Sequence, residues 1–184
     1  MSRLTVYPED DPASLELDTT DGERIAVTLR AIAARFERWQ ASVALPRDVS
    51  DAAVIQAYRT DVERLKAECG YQAVDVVRCL PDNPSRQELR RKFLEEHIHD
   101  EDEVRFFVEG AGMFFLRAAG KVHALLCERG DLLSVPAGTR HWFDMGPAPC
   151  FTAIRLFTTP AGWVARFTGD RIAQRFPMFE NLQA

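Results

Sequence analysis

The sequence predicts a mainly β fold: a small barrel or sandwich of short strands with several helices packed outside it, mostly from the N-terminal half. Three observations lead there. From Phe93 onward, short alternating apolar runs are separated by Gly-containing turns. Helical apolar spacing is confined to the first ninety or so residues. Strands and helices also fail to alternate in the way a parallel α/β sheet requires. A chain of 184 residues is large enough for one domain with a real core. Its 46% hydrophobic and 28% charged residues are those of an ordinary globular protein.

Leu4-Thr5-Val6-Tyr7 and Leu15-Glu16-Leu17 read as short strands joined by an acidic, proline-containing turn. Thr20 with Glu23 forms a capping box. Ile25, Leu29, Ile32, Phe36 and Trp39 then follow at spacings of four, three, four and three, which predicts one helical face. After a proline-containing link at 41–48, Ser50 caps a second helix. Val54, Tyr58, Val62 and Leu65 form its apolar side and Gly70 its stop. Residues 74–80 alternate as a strand ended by Pro81-Asp82-Asn83-Pro84. Ser85 and Glu88 cap a short helix whose Arg86, Arg90 and Arg91 read as a solvated basic face. Strands are then expected at 104–109, 113–117, 122–128, 132–135, 151–157 and 163–167. Residues 171–184 read as a weakly constrained tail that Phe176, Met178 and Phe179 are available to pin.

The net charge of −5 and the lack of a Lys/Arg stripe argue against a nucleic-acid surface. No apolar run approaches bilayer length, and Met1-Ser2-Arg3-Leu4 opens no signal peptide, so neither membrane nor export is expected. Cys69, Cys79, Cys127 and Cys150 lack a C-x-x-C spacing. They are expected to be reduced thiols of a cytoplasmic protein, each acting as a small buried hydrophobe.

The chemistry concentrates in four residues. The chain has four histidines, and three of them, His97, His99 and His141, can combine with Glu103. Alternate residues of a strand share a face, so His97 and His99 can grip one ion. Glu103 returns on the neighbouring segment, and the fold must supply His141. Imidazole with carboxylate suits iron, nickel, manganese or zinc. Four such ligands leave an octahedral ion two positions for chemistry. Taken alone, a His-x-His pair is as well explained by a surface pair, and Asp100-Glu101-Asp102-Glu103 by a solvated turn. Arg105 falls on the same strand face as Glu103 and is always charged; a structural pair with a carboxylate is its competing role. Glu96 points away from His97, and Asp102 opposite to Glu103. His123 reads as a satisfied structural or an exposed histidine. No Ser, Cys or Lys has the setting of a covalent nucleophile.

Two spaced motifs carry a resemblance. His97-x-His99-x-x-x-Glu103 is followed after six residues by Gly110. Gly130 is followed after five by Pro136-Ala137-Gly138 and, two later, by His141. The pair resembles the two-part signature of the cupins, small jelly-roll barrels. It departs from that pattern in lacking a Gly six residues before His97 and in carrying Met145 where an Asn is usual. The longer run Glu96-His97-x-His99-x-x-Asp102-Glu103-x-Arg105, with 136–143, Arg155-Leu156-Phe157 and the position of Trp163, resembles the acireductone dioxygenase family.

The resemblance implies one cupin domain over 1–184. Residues 1–92 would be a mixed α/β elaboration, 93–170 the metal-binding barrel core and 171–184 the tail. It implies that His97, His99, Glu103 and His141 bind one Fe(2+) or Ni(2+) per monomer, with no organic cofactor. Arg105 would favour the substrate dianion, Asp102 would transmit local conformational change, and Glu96 would serve metal incorporation. Phe93, Phe143 and Trp163 would wall in the substrate's methylthio tail. The implied reaction is oxidation of 1,2-dihydroxy-5-(methylthio)pent-1-en-3-one by O2 in methionine salvage, by a cytoplasmic monomer. Another cupin dioxygenase or isomerase, or a non-catalytic metal-binding module, would use the same ligands.

Overall fold

The computed structural model describes residues 1–159, 161 and 164–182. In chain order they form β1 (Arg3–Pro8), β2 (Leu17–Thr19), α1 (Gly22–Arg30), β3 (Arg35–Arg38), α2 (Asp51–Ala57), α3 (Arg59–Cys69), β4 (Ala73–Cys79) and α4 (Arg86–Phe93). Then come β5 (His97–Ile98), β6 (Glu103–Ala118), β7 (Lys121–Glu128), β8 (Asp131–Val135), β9 (Arg140–Asp144), β10 (Phe151–Phe157) and β11 (Arg166–Phe167). A 3-10 helix (Ile172–Arg175) and α5 (Phe179–Leu182) follow. The expected mainly β architecture with external helices is present, and it has the form of a cupin barrel.

β6 organises it. One face runs β11-β5-β9-β6-β7-β1-β2, while on the other β6 pairs with β8 and β10, which continue to β3 and β4. The first half of β6 pairs with β8 and β10, and the second half, from Ala111, with β7 and β9. The expected strands at 104–109 and 113–117 are therefore one strand of 16 residues. It survives its bend because Gly110 takes a φ of +68°, which lets the chain turn without leaving the ladder. The pairing with β10 also slips between Thr152 and Ala153. The slip changes which face odd and even residues occupy. Phe107 points into the main core before the bend, and Phe114 and Leu116 do so after it.

That core gathers Phe107, Phe114, Phe143 and Phe151 between the sheets, with Leu4, Ile25 and Leu29 closing one side. Val104, Phe106 and Val108 face outward and are covered by Val54, Tyr58, Val62 and Leu65 of α2 and α3. A third cluster joins Trp142, stacked on Phe115 at 5.0 Å, to Ile172 and Phe176.

Several expectations are corrected. The N-terminal half is not merely packed outside: β1 pairs with β7, β3 with β8 and β4 with β10. The second strand lies at 17–19 rather than 15–17. The first helix is capped by Asp21, not Thr20, and ends at Arg30 instead of reaching Trp39. Ala33 turns with φ +61°, and Phe36 is then buried from a strand on β8, because sheet hydrogen bonds outweigh continued helical spacing. The second helix keeps its Ser50 cap and its Gly70 stop but breaks at Tyr58. Ser85 makes no side-chain cap, and Arg90 is not solvated: it grips the fully buried Asp144 at 2.7 and 3.0 Å. Asp144 also accepts from Phe179 N, so the C-terminal segment is docked rather than loose. Cys79 and Cys127 are buried as expected, whereas Cys69 and Cys150 are exposed. His123 is buried with Nδ1 3.3 Å from Leu116 O, a structural histidine. Among the described residues no helix is long and apolar enough to cross a membrane.

Gly110 supplies a test of the bend. A Cβ there would sit 1.7 Å from Cys150 O, against backbone that has nowhere to move. Gly110→Ala should destabilise the protein by about 3 kcal/mol or more, read from urea-unfolding midpoints. A change within about 0.5 kcal/mol would mean that the strand tolerates a side chain at its switch of sheets.

Candidate metal centre

β5 is only two residues long, yet it is fixed on both sides. His97 is in register with His141 of β9 and with Phe167 of β11. β9 lies on β6, with His141 opposite Leu116, and Glu103 opens β6 opposite Val135 of β8. Two hydrogen bonds tie the turn after His99 to the turn before His141. Gly138 N donates to His99 O and Ala137 N to Asp102 Oδ1, both at 2.9 Å. The four residues thus come from three strands and one turn whose spacing the barrel sets.

His97, His99 and His141 are buried, with ligating atoms within 4.8 Å of one another. Their ring centroids lie 4.4 to 5.3 Å apart. Each Nδ1 meets a backbone carbonyl: His97 that of Glu95 at 2.7 Å, His99 that of Val164 at 3.1 Å and His141 that of Thr139 at 2.8 Å. A carbonyl only accepts, so every Nδ1 carries the proton. Every neutral ring therefore presents an Nε2 lone pair, the usual second-sphere preparation of a metal-ligating histidine.

Glu103 Oε2 lies 3.2 Å from His141 Nε2 and 3.8 Å from His99 Nε2. Two acceptors that close need a cation between them. Donors held about 2.1 Å from one ion at right angles stand about 3 Å apart, so the group fits a divalent metal. Burial lowers the His97 pKa to about 4, and burial lowers His99 as well. Both shifts favour the neutral ring that a metal ligand must be. Burial pushes Glu103 upward, but the charge of the neighbouring Arg105 opposes it, and the carboxyl is held well below its usual range.

A cavity of about 320 Å³ opens beside this cluster. His97, His99, Glu103 and Arg105 line it. Arg105 Nε donates to Glu103 Oε1 at 2.8 Å, so the structural pair exists; yet its buried Nη1 has no partner among the described residues. Its guanidinium rests 4.8 and 4.9 Å from the Phe143 and Phe114 rings. The apolar residues Val77, Phe93, Val164, Ala165 and Phe167 line the cavity too, together with Lys92 and Arg155. A larger hollow of about 570 Å³ near Leu45, Leu80 and Cys150 gathers no comparable set of donors.

The expected site residues divide accordingly. His97, His99, Glu103, Arg105, His141 and Phe93 come together. Phe143 is fully buried, packs against the Arg105 guanidinium and is not among the residues that line the described cavity. Trp163 lies outside the described residues. Glu96 is not solvated but buried beneath β11, accepting from Arg117 at 3.1 Å and from Thr168 Oγ1 at 2.6 Å. Asp102 is exposed and joins the two turns.

Sequence reading missed Lys92, Arg155 and Phe167. Arg155 is directly opposite Arg105 on β10, paired with Asp75 at 2.6 and 2.9 Å. Its signal was legible, a lone charge inside the apolar run 151–157. Phe167 had no signal beyond its aromaticity.

The lowered histidines imply a pH dependence. With a folded pKa near 4 against 6.5 unfolded, the unfolded chain binds more protons between those values. Stability of the metal-free protein should therefore be full above pH 6.5 and fall as pH drops toward 4, with His97 contributing on the order of 3 kcal/mol. His97→Gln should flatten that slope in urea titrations; an unchanged slope would place the acid sensitivity elsewhere.

Comparisons with known proteins agree on the relationship. The model of the ARD/ARD' family matches residues 3–165. The chain is 61% identical to an acireductone dioxygenase of Parvibaculum lavamentivorans, over 98% of each chain. It is 56% identical to one from Pseudomonas aeruginosa, over 98% of this chain and 100% of that one. The fold matches the structure of acireductone dioxygenase from Bacillus anthracis with a cadmium ion in its active center. That match has a TM-score of 0.80 at 28% identity, covering 91% of this chain and 98% of that one. With the fold, the metal-suited cluster and these matches in agreement, the chain belongs to the ARD/ARD' family.

Proposed function

We propose that this chain is an acireductone dioxygenase of methionine salvage, oxidising 1,2-dihydroxy-5-(methylthio)pent-1-en-3-one with O2. His97, His99, His141 and Glu103 hold one Fe(2+) or Ni(2+) per chain, and the enzyme works as a cytoplasmic monomer. One observation carries the reading. Three Nε2 lone pairs, aimed by backbone carbonyls, converge with Glu103 beside a cavity also lined by Arg105, whose buried Nη1 has no partner among the described residues. An ion needed only for structure has no use for an adjoining cavity.

An ion held there by His97, His99, Glu103 and His141 would supply Lewis acidity toward an enediolate. The chain's own groups do the rest. Three neutral imidazoles and Glu103 would leave a divalent site at about +1, and Arg105 beside it brings the pair to about +2, matching a doubly deprotonated substrate. Arg105 Nη1 donates to an anionic substrate oxygen, while Nε stays on Glu103. The Phe143 and Phe114 faces keep the guanidinium desolvated, which strengthens its pull on that oxygen. Neighbouring positive charge lowers the substrate's pKa and favours the dianion that reacts with O2.

Asp102, bonded to Ala137, couples the turn after His99 to the turn before His141 and so transmits movement between ligands. Glu96 is a buried carboxylate beside His97 and serves metal incorporation. The iron form yields 4-methylthio-2-oxobutanoate and formate. The nickel form yields 3-(methylthio)propanoate, formate and CO.

Iron- and nickel-loaded protein supplied with synthetic acireductone in air should consume it well above the spontaneous rate, with CO only from the nickel form. No acceleration by either form would overturn the assignment. Arg105→Ala, measured at saturating metal because Arg105 also steadies Glu103, should retain the ion and lose about 100-fold or more in kcat/KM. His99→Ala should instead lower metal stoichiometry.

A further inference from the structure

We propose that Lys92 draws the anionic substrate into the cavity beside the histidines. The chain as a whole carries a net charge of −5. Charge of that sign slows the approach of an enediolate, so capture calls for a local reversal of the field. The cavity supplies one. Lys92, Arg105 and Arg155 line it, and among the described residues Glu103 is the one carboxylate that does. The three cations are not equivalent. Arg105 is bound to Glu103 at 2.8 Å and is 3% exposed. Arg155 is held by both carboxylate oxygens of Asp75. Each of these two is paired with an opposite charge, which cancels most of its field a few ångströms away. Lys92 is exposed, and no carboxylate lies within 4.0 Å of its ammonium among the described residues.

α4 fixes where that charge stands. Arg90, two residues earlier, anchors the last turn of the helix to Asp144 and Glu180. Phe93, the next residue, lines the same cavity, with its ring 5.8 Å from the Arg105 guanidinium. Glu88, one turn before Lys92 on the helix, makes no ion pair with it. Being both exposed and part of the lining, Lys92 meets an incoming anion before the buried Arg105 does. An ammonium on a flexible stem acts as a point charge at a distance, whereas a guanidinium makes fixed directional contacts. Lys92 therefore serves association, while Arg105 serves the bound anion. The basic character of α4, which the ligand set leaves unused, has its place here.

The inference rests on the acireductone reading, and its test separates the two. Wild type, Lys92→Gln and Lys92→Arg, all metal-loaded, are given acireductone in air for turnover and without O2 for the association rate, read by stopped-flow absorbance. At low salt Lys92→Gln should lose about 5-fold in both kcat/KM and association rate, with kcat and metal stoichiometry unchanged. Near about 0.5 M KCl, where screening reaches only a few ångströms, its deficit should shrink below about 2-fold. Lys92→Arg, which keeps the charge, should stay within about 2-fold of wild type throughout. A loss that salt does not erase would make Lys92 a direct contact of the bound substrate and overturn its steering role. So would a fall in kcat, or no loss at low salt. If wild type neither binds nor consumes acireductone, the activity reading fails and this inference with it; if wild type is active and the salt-dependent loss is absent, only this inference falls.

Discussion

The buried pair of Glu103 and Arg105 is the interaction on which the rest of this protein depends. Their side chains are 2% and 3% exposed, and removing two such charges from water costs several kcal/mol each. Few surroundings return that energy. Here Nε meets Oε1 at 2.8 Å, aromatic faces accept the guanidinium, and the second carboxylate oxygen turns toward His141. The outcome is a carboxylate kept ionised and a guanidinium with a donor to spare. Both are properties of a charged-ligand site that a hydrophobic pair of equal volume would lack.

Two features of β6 make this pair affordable. Its alternation points Glu103, Arg105 and Phe107 to one side while Val104, Phe106 and Val108 are covered by the helices. Its bend at Gly110 then reverses the parity, so that Phe114 comes back beneath Arg105. A strand without the bend would send Phe114 outward and leave the guanidinium without its cushion. The geometry of the site is thus tied to a backbone position distant from any ligand.

The surroundings of the three histidines follow the same economy. Each ring is locked by a carbonyl, and two of those carbonyls lie within two residues of the histidine they serve. The third, from Val164, arrives from a strap far along the chain. That strap depends on Glu96, Arg117 and Asp170, a charge cluster in which one guanidinium serves three carboxylates at 2.8 to 3.1 Å, counting Glu9. Orientation of His99 and anchoring of the segment at 164–170 consequently share one set of contacts.

Much of this was legible in the sequence, because local rules wrote it. Strand alternation placed Glu103 and Arg105 on one face, Ser50 and Gly70 bounded a helical stretch, and His-x-His with a later Glu marked donors of the right chemistry. Where sequence reading failed, a distant partner had overruled local spacing. Phe36 and Trp39 fit a helix until β8 offered a ladder, and Arg90 looked solvated until Asp144 was set beneath it. Phe143 could line a cavity or support it, and only the packing of Phe93 and Arg105 decides. The sequence by itself determined which atoms can ligate and which faces bury. Tertiary structure alone decided which nitrogen of His99 is free, that Glu96 is buried, and that Arg105 Nη1 has no partner among the described residues, because each depends on neighbours brought together only by the closing of the barrel.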